Sequence, residues 1–183
     1  IALVGAGAIG TAVGALIAKA GEDIVLVDVN REHVQALTEK GAAITGKIDV
    51  TVPVRAVTPD RMEGFYDLVI YLVKSVHDEA AIPPVLPHLH ERSVFITLQN
   101  GIPEDKVAGF VGRARTVGGT VGFPAQLIAP GVTEIPKADA EMYFEIGEMD
   151  GSMTPRSKPC SAFWQRRPGP PYAGILSPCA GTS

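Results

Sequence analysis

The chain opens on Ile1-Ala2-Leu3-Val4-Gly5-Ala6-Gly7-Ala8-Ile9-Gly10, and the spacing of these glycines restricts the fold more than any other stretch. An apolar run predicts a buried strand. A Gly-x-Gly-x-x-Gly turn follows, and Thr11 to Ala18 continues as a helix of small and apolar residues. In a strand, turn and helix of this kind each glycine has its own task. Gly5 lets the chain turn tightly out of the strand. Gly7 has no Cβ, so a pyrophosphate can lie against the backbone. Gly10 lets the helix pack close to the sheet, and Gly14 extends that flat face. The helix N-terminus then offers unpaired N–H groups and a partial positive charge to the phosphates. Gly5, Ala6, Gly7, Ala8, Ile9 and Gly10 are therefore the expected cofactor-binding turn.

Asp28 ends the next apolar run, Ile24-Val25-Leu26-Val27. An acid at a strand tip about 20 residues past the glycines is placed to accept hydrogen bonds from ribose hydroxyls. The alternative is an Asp that only starts the turn Asp28-Val29-Asn30 and caps the following helix. The glycine turn upstream favours the ribose.

Composition narrows the class. Of the 183 residues, 46% are hydrophobic and 20% charged, enough apolar material for one domain with a sizeable core and unlike a disordered chain. No apolar stretch reaches the length of a membrane span, and no secretory-signal pattern opens the chain, so cytoplasmic is the expected location. Since Ile1 falls inside the first strand, an initiator Met and a residue or two are expected to precede it. Cys160 and Cys179 lie in the last quarter without CxxC or ligand-spaced His, which predicts neither a metal site nor a disulfide framework. Every acidic residue lies within 1–150, while Arg156, Lys158, Arg166 and Arg167 lie beyond, leaving the first 150 residues at a net charge of −8. An acidic body argues against nucleic acid as a partner.

Along the chain, Gly21 closes the first helix and Gly41 a second, at about Glu32 to Glu39, with Val34 and Leu37 inward. Ala42 to Thr45 predicts a short strand. Val50 to Val57 alternates as a half-exposed strand, which Pro53 confines to an edge or an irregular position. Tyr66 to Val73 is the clearest buried strand, closed by Lys74-Ser75. The helix after Val76 must be short or kinked because Pro83, Pro84 and Pro87 interrupt it. Val94 to Leu98 is a further buried strand, ending in Gln99-Asn100-Gly101. A helix at about Glu104 to Phe110 and strands at Thr116 to Phe123, Gly131 to Ile135 and Met142 to Ile146 complete the pattern. Strands alternating with helices predict a doubly wound, Rossmann-like α/β domain with a mainly parallel sheet over 1–150. Residues 151–183, with six prolines between Thr154 and Ser183, predict an irregular Pro/Gly-rich tail.

Ligands of such sheets bind beyond the carboxyl ends of the strands. Lys74 could be a solvated strand end, and Asn100-Gly101 only a turn. Their places at equivalent strand ends move both toward a site. The set Val4 to Gly10, Leu72-Val73-Lys74-Ser75 and Leu98-Gln99-Asn100-Gly101-Ile102 resembles the ketopantoate reductase family. Val117 to Thr120, Ala129 to Val132 and Ile146-Gly147-Glu148 are similar to it too, so the resemblance covers roughly residues 1 to 156.

The resemblance implies reduction of 2-dehydropantoate, a 2-oxo acid, to pantoate with NADPH, in pantothenate synthesis. It implies that Lys74 and Asn100 lie near the nicotinamide ribose and the substrate as the catalytic residues of this domain, and that Thr120 to Ala125 flanks the cofactor. It also implies a lysine proton donor at the start of a helical C-terminal domain, with a glutamate deeper in that domain. Two departures follow. A carboxylate at Asp28 repels the 2′-phosphate of NADP and suggests NAD, while Arg31 could receive that phosphate; measurable binding of both is the expectation. The helical domain is expected to be absent. Ser157 to Ser183 has no acid, and the neighbours of Lys158 do not match, so Lys158 is not assigned as the donor. A frameshift near Arg156 and weak or absent turnover are the expectations. The alternatives are a non-catalytic dinucleotide-binding module, or a dehydrogenase of the same N-terminal fold acting on another small hydroxy acid. Without a partner domain, exposed sheet and cleft surface predicts association, including homo-oligomers.

Overall fold

The computed structural model describes residues 1–136, 143–152 and 154. In chain order its strands are β1 (Ala2–Val4), β2 (Val25–Val27), β3 (Ala42–Gly46), β4 (Val50–Val52), β5 (Arg55–Val57), β6 (Leu68–Tyr71), β7 (Val94–Thr97), β8 (Thr116–Gly122), β9 (Gln126–Ala129), β10 (Val132–Ile135) and β11 (Tyr143–Gly147). Its α-helices are α1 (Ala8–Lys19), α2 (Arg31–Lys40), α3 (Asp78–Ala81) and α4 (Glu104–Val111).

Alternation along each short strand builds the main sheet. Leu3 lies beside Leu26 and Ile70, and Ile70 beside Ile96, forming one apolar row on one face. Val4, Val27, Tyr71 and Phe95 belong to the opposite face. Both faces are covered, which is why these strands read as nearly continuous apolar runs. The order is β11-β8-β7-β6-β1-β2-β5. All neighbours are parallel except β11, which runs antiparallel to β8. The chain winds outward from β1 to β5, then returns to β6 on the other side of β1. The doubly wound fold stands, and the order reverses between β1 and β6.

A second sheet, β4-β3-β10-β9, was not anticipated. It packs on α1, which is enclosed between the two sheets, so that Gly10 to Ile17 are all buried. That enclosure explains the apolar and small residues on every face of α1. The expected single strand from Val50 to Val57 is two strands in different sheets: β4 pairs with β3 and β5 with β2. Pro53 lies in the break, where it has no N–H to continue a ladder. β9, exposed along its whole length, also escaped the sequence reading.

The proline-interrupted stretch is a 3-10 turn at Ser75–His77, then α3, then a 3-10 segment at Pro83–His88. Gly21 and Gly41 both have positive φ after their helices, as the capping role requires. The strand expected from Met142 is observed from Tyr143, Met142 itself lying outside the described residues. So does all of the expected tail except Gly151, Ser152 and Thr154. Among the described residues no helix is long and apolar enough to cross a membrane.

Candidate functional site

Space is what distinguishes the three turn glycines. Gly5 has φ +94°, and a Cβ there would stand 2.8 Å from Val73 N, where the ends of β1 and β6 come together. A Cβ on Gly10 would fall 2.1 Å from the Gly5 carbonyl oxygen, and one on Gly14 would fall 2.9 Å from the Leu26 side chain. Nothing stands within 4 Å of a Cβ on Gly7. Gly5 and Gly10 serve the chain's own packing; Gly7 faces open space.

That space is a cleft of about 970 Å³ at the carboxyl ends of the strands. Gly5, Gly7, Ala8, Ile9 and Gly10 line it from the turn, Asp28 from the end of β2, Lys74 from the end of β6 and Asn100 from the end of β7. Val121 and Ala125 line it too, so the segment expected to flank the cofactor reaches the same cleft. Ala6 does not line it. Ala6 is fully buried, and its carbonyl accepts hydrogen bonds inside the protein. The first turn of α1 carries no acidic residue, and Gly7, its N-cap, has no capping side chain. The turn therefore meets an anion with helix N–H groups and no opposing carboxylate of its own.

Asp28 accepts a hydrogen bond from Asn30 N through Oδ1 at 2.9 Å, while Asn30 caps α2 by accepting from His33 N at 3.1 Å. The cap is thus Asn30. Asp28 remains at the cleft wall, half-buried. Arg31 is outside the lining, on the surface, with its guanidinium 3.9 Å from Asp60. Since Pro59 lines the cleft and Asp60 follows it, Arg31 stands at the rim.

Lys74 and Asn100 are exposed on the two loops beyond β6 and β7. Beneath them lies a buried polar network that the sequence reading missed. Asp78 is fully buried; its Oδ1 accepts from Tyr71 OH at 3.0 Å and from Gln99 Nε2 at 2.8 Å. Lys106 Nζ approaches Asp78 Oδ2 at 3.3 Å. Burial, and then the adjacent Asp78 carboxylate, hold the Tyr71 phenol well above its usual range, so it serves as a donor. The network grips the backbone on either side of Lys74: Gln99 Nε2 donates to Val73 O at 2.7 Å, and Lys106 Nζ donates to Ser75 O at 3.1 Å. An Asp four residues past Lys74 in a short helix resembles any solvated acid, so its sequence carried no such signal.

A mostly parallel sheet whose glycine turn opens on a helix N-terminus at the switch point, with an acid at the tip of the next strand, defines a Rossmann-like α/β domain. The model of the ketopantoate reductase PanE/ApbA family matches residues 1–151. The chain belongs to that family.

A relative from Pyrococcus abyssi (strain GE5 / Orsay), 2-dehydropantoate 2-reductase, is 39% identical over 135 residues, covering 72% of this chain and 43% of the relative. The crystal structure of 2-dehydropantoate 2-reductase from Geobacter metallireducens GS-15 is similar with a TM-score of 0.77 and 27% identity, over 88% of this chain and 54% of that one. A complex of D-mandelate dehydrogenase with NADH is similar with a TM-score of 0.70 and 25% identity, over 81% of this chain and 46% of that one. The chain spans less than half the length of the curated relatives it matches.

Proposed function

We propose that this chain is the cofactor-holding half of a ketopantoate reductase-type oxidoreductase that reduces 2-dehydropantoate to pantoate with a nicotinamide dinucleotide. The observation that carries the reading is the single cleft into which the glycine turn, Asp28, Lys74 and Asn100 open from neighbouring strand ends. The residues fit the group: the open face of Gly7 and the uncapped α1 N-terminus suit a pyrophosphate, and Asp28 suits a ribose.

When bound, the dinucleotide supplies the hydride. The chain's part is orientation and charge. Lys74 offers a cation and Asn100 an amide to the nicotinamide ribose and to the 2-oxo acid, whose carboxylate and developing alkoxide both favour such donors. By family resemblance the proton donor belongs to a helical domain. Turnover by residues 1–183 taken by themselves is expected to be weak or absent, since no residue lining the described cleft is assigned as that donor, and binding without catalysis is the second reading. The location assigned is the cytoplasm, where pantothenate synthesis would use such an enzyme. The exposed apolar residues Val76 and Ile102 near the cleft loops support association between copies.

Titration of the chain with NADH and with NADPH, followed by nicotinamide fluorescence, should show saturable binding of both. Gly7→Val, whose side chain enters the cleft, should weaken both by about tenfold or more, through lost close approach to the backbone. Arg31→Ala should weaken NADPH by a few-fold, roughly three to ten, and leave NADH unchanged, as expected for one charge-assisted contact to the 2′-phosphate at an exposed site. Failure of the parent chain to bind either dinucleotide would sink the reading. NADPH oxidation with 2-dehydropantoate, beside a panel of other 2-oxo acids, separates the reductase from the binding module and from a dehydrogenase of other specificity.

A further inference from the structure

His33 is 1% exposed and lies in a helix that the sequence reading treated as amphipathic, with no task for it. Its ring joins three distant segments. Gly131 N–H, in the turn between β9 and β10, donates to Nδ1 at 3.0 Å. An Nδ1 that accepts leaves the ring proton on Nε2, which is 2.7 Å from Ala6 O and donates to it. Thr11 Oγ1 donates to the same oxygen at 2.7 Å and lies 3.1 Å from Nε2. Both acceptor positions of the Ala6 carbonyl are thereby filled from inside the protein.

The consequence follows from peptide geometry. The Ala6–Gly7 peptide is trans, so its C=O and N–H point in opposite directions. With Ala6 O held inward, Gly7 N–H faces outward, into the cleft that Gly7 lines and beside which no Cβ intrudes. We infer that His33 is a positioning residue for the anion-binding turn, locking the Ala6–Gly7 peptide so that Gly7 N–H is presented to the pyrophosphate of a bound dinucleotide. The second sheet is the far anchor of this lock. Gly131 fixes the ring, and Thr133 of β10 donates a further bond to Ala8 O at 3.0 Å, in the first turn of α1. A sheet that contributes no residue to the turn thus shapes it from behind. The inference rests on the dinucleotide reading above, and its test distinguishes the two.

The test uses the full chain, with NADH, NADPH and inorganic pyrophosphate as probes and thermal melting recorded for every variant. His33→Gln keeps an amide donor near the place of Nε2, whereas His33→Asn keeps a polar atom only near the place of Nδ1. His33→Leu removes both. His33→Leu and His33→Asn should weaken dinucleotide binding by about tenfold, the size of one lost buried hydrogen bond, while His33→Gln stays within about threefold of the parent chain. Thr11→Val, nearly isosteric, removes the other donor to Ala6 O and should weaken binding similarly even if His33→Leu fails to fold. Equal binding by all the variants, or losses that merely track melting temperature without rescue by Gln, would overturn the role of His33 alone. A parent chain that binds none of the three probes would overturn both this inference and the reading beneath it.

Discussion

Gly10→Ala should cost the domain on the order of 3 kcal/mol or more, a large fraction of the stability of a typical domain. The methyl group would stand 2.1 Å from Gly5 O and 3.1 Å from Leu3 Cδ2. The first of these neighbours is backbone, and it cannot swing aside as the end of a side chain could. Nor can α1 retreat, because the second sheet closes on its other face. Thermal and urea denaturation check the loss directly. Gly7→Ala is the control: Gly7 has negative φ, −66° with ψ −156°, and open space around it, so its melting temperature should fall far less than that of Gly10→Ala. Equal stability of the two variants would mean that α1 does not sit against the glycine turn as described.

This contrast also shows which parts of the fold and site were readable in the sequence. Gly5, Gly7 and Gly10 announce themselves because local backbone geometry demands them, and β1, β2, β6 and β7 because burial on both faces leaves continuous apolar runs. Asp28, Lys74 and Asn100 were found from their places at strand ends, and one cleft gathers them. What escaped is non-local. β3 and β10 pair although about 90 residues separate them, and the four residues of β9, all exposed, carry no alternation. Pro53 was read as an irregularity within one strand when it divides two sheets. His33 and Asp78 escaped for a common reason. A polar residue in a helical stretch reads as solvated unless the burial of its partners is known, and those partners, Gly131 and Gln99, lie 98 and 21 residues away.

The largest effect expected outside the glycine turn is at Asp78. Asp78→Ala would remove the acceptor for Tyr71 OH and for Gln99 Nε2 and leave a small cavity among fully buried neighbours, at a cost of about 3 kcal/mol. Asp78→Asn keeps an oxygen for Tyr71 and Gln99 and should cost only about 1 kcal/mol. Lys106→Met acts from the other side, leaving the carboxylate buried without its cation. A fully buried pair broken in this way typically costs 3–5 kcal/mol. Lys106 is half-exposed, at 46%, so water shares in the compensation and about 2 kcal/mol is the better expectation. Joining Asp78→Asn to Lys106→Met removes the buried charge and the cation together, and the double variant should lose less than the sum of the singles. The same cycle read on ligand binding reports the site. Val73 and Ser75, the residues on either side of Lys74, are held by Gln99 and Lys106, so each variant that loosens the network should also lower dinucleotide affinity although neither Asp78 nor Lys106 lines the cleft. Strict additivity of the two substitutions in stability would mean that Lys106 and Asp78 do not form one unit. Unchanged binding across the cycle would mean that the Lys74 loop holds its place without them.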